Sequence, residues 1–429
     1  MPYPRPNLHP QASLTTLAPS SATEPPASTV ASLFADIEPT GLHTWLARLT
    51  PTHPAQLTVV IPDDTRPLHP DQVLPPLLAQ LAVHPRPPAV HVLVALGLHG
   101  PPRADFVRRL EQALAPHRDT LSPTWSFHDA KATEAAGLPL HPAVLSRAQG
   151  GSTDGNIVVG LVEPHQYAGF SGGYKGISIG CGATSTIAHL HSLEMLRRDG
   201  VAIGNIDGNP FREALHAIGQ SQAAPTWTIA LVPDPLGVDR FAGLYQGEPL
   251  GTFAQAAAAA RERLMIPTAR QFDFVLVGVP EAKAANFYQA SRALTYLALH
   301  PSPCIRPGGT LIIEASCPDG YGHAPGEQAF RRALGRGSDT LLRELVGEAQ
   351  PPSPPGGGAQ RAYVLARALH RFRCVLIGGP ELPEAQNAGL VQTASAAQLT
   401  LQGQGLAVAD PFVATPYFVP PVEGADARP

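Results

Sequence analysis

Short apolar runs that end in polar residues, each followed by a helical pattern, alternate along most of this chain. LTVVIPDDTRP (57–67) is a β-branched run closing on two acids, an arginine and a proline, and VLPPLLAQL after it is helix-like but broken by Pro75 and Pro76. AVHVLVALGLHG (89–100) is a continuous apolar run with His99 just past its tip, and ADFVRRLEQAL (104–114) has helical spacing. NIVVGLV (156–162) and TWTIALVPD (226–234) are further buried-strand patterns. Strand, polar tip, helix and strand in repetition predict βαβ units and mostly parallel sheets. In such sheets ligands bind beyond the carboxyl ends of the strands. The alternation restarts after Pro267 with FDFVLVGVP, YQASRALTYLALH, GGTLIIEAS and CVLIGG. Two α/β domains are therefore expected, over 31–268 and 269–399, with the active site in the cleft between them. Residues 1–30, rich in Pro, Ser and Thr, read as a disordered arm. Residues 400–429 are expected to pack back on the first domain.

Charge narrows the function classes. The 30 basic residues are 27 arginines and three lysines, Lys131, Lys175 and Lys283, in a chain of formal charge -4. No broad basic face results, which argues against a nucleic-acid partner. Four scattered cysteines make neither a disulfide framework nor a CxxC knuckle. No long uncharged apolar run and no leader-like N-terminus is visible, so a soluble cytoplasmic protein is expected, as a monomer or small homo-oligomer.

The segment 165–191 carries the strongest chemical signal. Six glycines between Gly169 and Gly182 allow unusual backbone and close approach to a ligand. Lys175 stands inside this stretch, in a chain that otherwise writes positive charge as Arg, which points to amine chemistry. Thr184 to Arg198 reads as one helix, on which His189 and His191 fall at i, i+2 and so do not share a face. No H-E-x-x-H pattern or ligand-spaced Cys or acid completes a metal set. Gly169-Phe-Ser171-Gly-Gly173 matches the G-x-S-x-G hydrolase pattern, but the strand ends six residues early and no helix begins after Ser171. Gly180-Cys-Gly182 stops short of a dinucleotide fingerprint. Arg66, with His99 and His165 just past other strand ends, could hold a carboxylate while imidazoles move protons. Gln289 and Arg292, at i, i+3, could line the same cleft or form a solvated edge.

At these residues the chain resembles the lactate racemase family. DDTRP (63–67), GLHG (97–100), HQYAGFSGGYK (165–175), His191, DGNP (207–210) and NFYQASRAL (286–294) follow in family order, over roughly residues 50–415. The resemblance implies racemases or epimerases of 2-hydroxy acids that use a nickel-pincer nucleotide, a pyridinium mononucleotide with two thio-acid arms, loaded by cofactor-making enzymes. It implies that Lys175 carries the nucleotide as a thioamide and that His191 fills the fourth nickel position. His99 and His165 would be the acid–base pair around a hydride transfer at C2, with Arg66 on the substrate carboxylate. Asp63, Thr65, Ser171, Gly172 and Gly173 would seat the cofactor, and Tyr288, Gln289 and Arg292 the substrate. Arg292 stands where the family usually has Lys, and Ala284 where it tends to have an acid. The substrate is thus expected to differ from lactate. A dehydrogenase using the same cofactor and a non-catalytic paralogue that binds nucleotide or carboxylate are the alternatives, and a serine hydrolase at Ser171 is a remote third.

Overall fold

A computed structural model describes residues 7–8, 12–17, 28–50, 53–235, 237, 239–352 and 357–420. The alternating pattern becomes two six-stranded sheets in a mixed α/β architecture. In chain order the strands are β1 (Ser13–Thr16), β2 (Gln56–Pro62), β3 (Ala89–Ala95), β4 (Thr124–Phe127) and β5 (Gly155–Leu161). Then come β6 (Thr226–Pro233), β7 (Phe241–Gly247), β8 (Met265–Thr268), β9 (Phe272–Val277) and β10 (Ile305–Glu314). The last are β11 (Arg373–Ile377), β12 (Val391–Thr393), β13 (Gln404–Val408) and β14 (Thr415–Phe418).

The first sheet has the spatial order β7-β6-β5-β2-β3-β4 and is parallel except for the antiparallel edge strand β7. The second has the order β12-β11-β10-β9-β13-β1 and is wholly parallel. Parallel sheets are covered on both faces, which is why their strands read as unbroken apolar runs. Val59, Val92, Ile157 and Ile229 have no exposed surface, and neither do Val275, Leu311 and Val375. Burying each such side chain stabilises the fold by roughly 1.5–3 kcal/mol.

Strand order creates two crevices. β2, β3 and β4 step one way across the first sheet, and β5, β6 and β7 step the other way, so the winding reverses between β2 and β5. In the second sheet it reverses between β9 and β13. These reversal points, at the carboxyl ends of the strands, are where open α/β sheets hold ligands.

Three expectations need correction. The arm is not without structure: Ser13–Thr16 is the edge strand of the second sheet, and Asn7–Leu8 pairs with Thr400–Leu401. All four residues of β1 are exposed, so backbone hydrogen bonds alone hold it, and these leave no apolar pattern in a sequence. The rest of the arm lies outside the described residues. The C-terminal stretch does not simply return to the first domain, since β13 lies between β9 and β1 in the second sheet. Only β14 leans back, paired with β8, while 421–429 lie outside the described residues. The helix α1 (Pro70–Ala82) runs through Pro75 and Pro76. The carbonyls of Asp71 and Gln72 lose their i+4 donors there, and burial of Leu74, Leu77, Leu78 and Leu81 holds the helix in place.

Candidate active site

Residues just beyond β2 and β5 meet across the first crevice. Asp63 follows β2 and is 3% exposed. Its Oδ1 accepts from Thr65 N (3.1 Å) and Thr65 Oγ1 (2.6 Å), and its Oδ2 lies 2.6 Å from His99 Nδ1. Burial pushes the Asp63 pKa up, but the hydrogen bond and charge of His99, helped by Thr65, outweigh it and hold the carboxyl below its ordinary value. With Nδ1–H given to a carboxylate, His99 presents a lone pair at Nε2, on a side chain that is 53% exposed. Arg66 bridges the crevice, its Nη1 3.1 Å from Oε1 of Glu163, the residue that follows β5 and Val162.

His165 is oriented in the opposite sense. Pro164–His165 pairs antiparallel with Gly169–Phe170, and His165 Nδ1 accepts from Tyr167 N (3.3 Å) and Ala168 N (3.2 Å). A neutral ring so held carries its proton on Nε2. Burial, then Lys175, Arg66, Arg292 and His191, push its pKa well below the usual value.

The loop that carries Lys175 is built from within. Gly169 and Gly172 have φ of +73° and +87°. A Cβ at Gly169 would lie 2.0 Å from Asn205 O, and one at Gly172 2.6 Å from Val162 Cγ2. Both glycines are therefore required by the chain's own packing. Gly173, at φ +59°, lies against Phe253. Ser171 Oγ donates to Leu161 O (2.6 Å) and accepts from Glu163 N (3.1 Å), which fastens the loop to the end of β5. A hydroxyl so engaged is not presented as a nucleophile. Arg212, 1% exposed on α2 (Pro210–Gln222), donates to the carbonyls of Ala168, Phe170 and Gly172 and stacks 4.0 Å from the Phe253 ring centre. Lys175 opens the short helix Lys175–Ser178. Burial, then Arg66 and Arg212, lower its amine to about 7, against the opposing pull of Glu163. An amine with a substantial neutral fraction near pH 7 is a competent nucleophile.

The single helix expected from Thr184 to Arg198 is two. The first ends at Leu190 with His191 as its C-cap, and Ser192 caps the next, its hydroxyl accepting from Met195 N (3.2 Å). The break matters because His191 Nδ1 lies 2.9 Å from Ile187 O, a carbonyl of the last turn. Donation there leaves Nε2 as a free lone pair, the state a metal requires. Burial lowers the His191 pKa to about 4; the Ile187 bond opposes this, and Lys175 and Arg361 add to it. Tyr167 lies between the imidazoles, 5.7 Å from His165 and 5.9 Å from His191 between ring centres, and Phe211 is 5.4 Å from His191. Among the described residues no three His, Cys, Asp or Glu side chains could hold a metal together. A metal at His191 would draw its other ligands from a cofactor.

Residues of the second sheet's side reach the same place. On the helix α3 (Phe287–Ala298), Tyr296 Oη donates to Pro164 O (3.2 Å) and Thr295 Oγ1 to Gln166 Oε1 (3.1 Å), on either side of His165. Arg292 Nη2 is 3.4 Å from Tyr296 Oη, and its guanidinium is 5.5 Å from the Phe412 ring centre. Lys283 Nζ is 4.9 Å from the same ring. Lys283 follows β9 and Phe412 follows β13, so both stand at the second crevice. Burial and Arg292 lower Lys283 to about 8, against Glu163 and Asp410. Gln289 is half-buried, its amide N–H held by the cap Asn286 at 3.0 Å, and Tyr288 lies beneath Arg361.

Composition and motifs passed over Glu163, Arg361, Lys283, Asp410 and Phe412. Glu163 had a signal, an acid directly after an apolar strand, and Lys283 had one as the third rare lysine. Nothing in the sequence marks the others. Buried neutral histidines also set a pH limit. Burial holds His128, His191, His216 and His300 at about 4. Unfolding lets them take protons below about 6.5. Stability is thus full above that value and falls steadily as pH drops toward 4. Calorimetry should find Tm at pH 5 on the order of 5 °C or more below that at pH 7.5; an unchanged Tm would contradict the burial of these rings.

Comparison with known proteins finds relatives of one kind. Residues 7–204 match the model of the lactate racemase N-terminal domain. The chain is 22% identical over 335 residues to lactate racemase of Thermoanaerobacterium thermosaccharolyticum, covering 75% of this chain and 73% of that one. It is 24% identical over 272 residues to lactate racemase of Lactiplantibacillus plantarum, covering 62% and 61%. The solved apoprotein of the Thermoanaerobacterium lactate racemase superposes with a TM-score of 0.69 at 17% identity, over 90% of this chain and 93% of that one. A crystal structure of a protein from Thermotoga maritima superposes with a TM-score of 0.60 at 18% identity, over 87% and 93%. The chain thus shows low-identity homology to lactate racemases, with the family model matching residues 7–204.

Proposed function

We propose that this protein interconverts the stereoisomers of a 2-hydroxy acid, using a nickel-pincer nucleotide carried on Lys175, in a cleft between two α/β halves. Homology to lactate racemases supports a 2-hydroxy-acid racemase or epimerase in general. The observation that carries the finer reading is one pair of groups beside His165: an amine lowered to about 7 and an imidazole with a free Nε2. Lys175 suits acylation by a thio-acid arm, and His191 suits the one metal position that such a cofactor leaves to the protein. When bound, the cofactor would accept the C2 hydride and return it.

The chain's own residues supply the rest. Arg66, held by Glu163 through Nη1, keeps its other donors for the substrate carboxylate and for charge developing on the C2 oxygen. His99, oriented by Asp63, takes the hydroxyl proton at Nε2. His165 offers Nε2–H from another side as a hydrogen-bond donor to the C2 oxygen. Interconversion in the opposite sense requires His165 to act as the base, with its proton moved to Nδ1 and the two long contacts there, 3.2 and 3.3 Å, given up. Tyr167, Phe211 and Phe412 exclude water around them.

The test is the intact mass of protein produced beside cofactor-making enzymes, followed by optical rotation of single stereoisomers in heavy water. Expected are an adduct on Lys175 and inversion with the C2 hydrogen retained. No adduct, or washout of that hydrogen, would overturn the reading. A one-way release of 2-keto acid would make it a dehydrogenase instead.

A further inference from the structure

Two guanidiniums at the site have no ion-pair partner among the described residues, and Glu163, which acts on Arg292 at longer range, is held by Arg66. Arg361 lies in the first turn of the helix Gln360–Arg371. Its Cζ is 3.9 Å from the Tyr288 ring centre and its Nη1 donates to Tyr288 O at 3.2 Å. Tyr288 and Arg292 are i, i+4 on α3 and share a face, so Arg361 stands over the turn that carries Arg292. Arg292 has a buried Nε with no hydrogen-bond partner, and its Nη2 reaches only a tyrosine hydroxyl. Among the described residues neither forms an ion pair. The neighbouring cations are provided for: Arg66 has Glu163 at 3.1 Å, Lys283 faces Asp410, and Lys175 would lose its charge on acylation. Burial lowers the Arg361 pKa, and Arg292 adds to that by repulsion. Arg361 also reaches His191 electrostatically.

Burying two like charges without a paired carboxylate is costly, and a ligand that brings a second anion lowers the cost. A 2-hydroxy monoacid brings one carboxylate, which Arg66 already serves. We propose that Arg292 and Arg361 together receive a second carboxylate, and that the preferred substrate is a 2-hydroxy dicarboxylic acid. Planar forks suit a carboxylate better than an ammonium does, which gives a reason for Arg at position 292 beyond the chain's scarcity of lysine.

This inference rests on the function proposed above, and the experiment separates the two. Wild type, Arg361→Gln and Arg361→Lys are loaded with cofactor and weighed intact. Interconversion of malate and of lactate is then followed by chiral chromatography. Binding of the keto acids oxaloacetate and pyruvate to the same preparations is measured by calorimetry. Wild type should favour the diacid by roughly 10- to 100-fold in both kcat/KM and affinity. Arg361→Gln should lower that ratio by a similar factor, chiefly through KM, with Arg361→Lys between them. Equal preference in wild type, or equal loss on both acids, would overturn the proposal. So would loss of the adduct in Arg361→Gln, since the guanidinium would then serve the cofactor phosphate. If loaded wild type inverts neither acid, the racemase reading fails, and the calorimetric ratio alone decides whether the second carboxylate is recognised.

Discussion

Lys175→Arg should leave a folded protein that gains no mass when produced beside cofactor-making enzymes, with stereoisomer interconversion down on the order of 10⁴-fold or more. Arginine keeps a positive charge at the start of the Lys175–Ser178 helix but offers no amine that forms a thioamide under these conditions. The expected loss therefore belongs to attachment and not to electrostatics. Circular dichroism and Tm serve as controls, because burial also acts on the wild-type amine and lowers it to about 7. An adduct of unchanged mass on the Lys175→Arg protein would remove Lys175 from the mechanism.

Asp63→Asn is expected to lower kcat by roughly 10²- to 10⁴-fold in a protein that loads normally. The reason lies in the two donors from Thr65, which both converge on one carboxylate oxygen. In the asparagine variant that position demands the amide oxygen, which turns the amide NH₂ toward His99 Nδ1. The ring must then accept at Nδ1 and carry its proton on Nε2, the wrong state for a base. Turning the amide over would set its NH₂ against the Thr65 donors. Interconversion in both directions should fall by the same factor. A change under about threefold would mean that Asp63 does not set the His99 tautomer.

Much of this arrangement was legible in the chain. The apolar runs with polar tips gave correct strands for β2, β3 and β5, and the acids, Arg66 and His99 do stand at their ends. Lys175 was singled out because the chain so rarely uses lysine. Strand order was not legible, because βαβ repetition does not say on which side the next strand is added. The meeting of Arg66 with Glu163 depends on β5 lying beside β2. The break at His191 was hidden because 184–198 keeps its helical spacing, and one serine decides that a new helix starts there. In the sequence the glycines suggest room for a ligand, whereas Gly169 and Gly172 make room for Asn205 and Val162. Arg361 and Phe412 come from distant parts of the chain, and only tertiary packing brings them to the site.

The clamp of Arg212 on three loop carbonyls has a consequence for the order of events in the life of the protein. A glycine-rich stretch left to itself loses much conformational entropy when a ligand orders it. Here that loss is incurred on folding, before any nucleotide arrives, because the guanidinium already satisfies the backbone of 168–172. The loop is preorganised, so the proposed attachment to Lys175 would meet a rigid receptor, and its free energy would not be spent on ordering the loop. Damage to the clamp would then be felt twice, first as a less stable fold and again as slower loading.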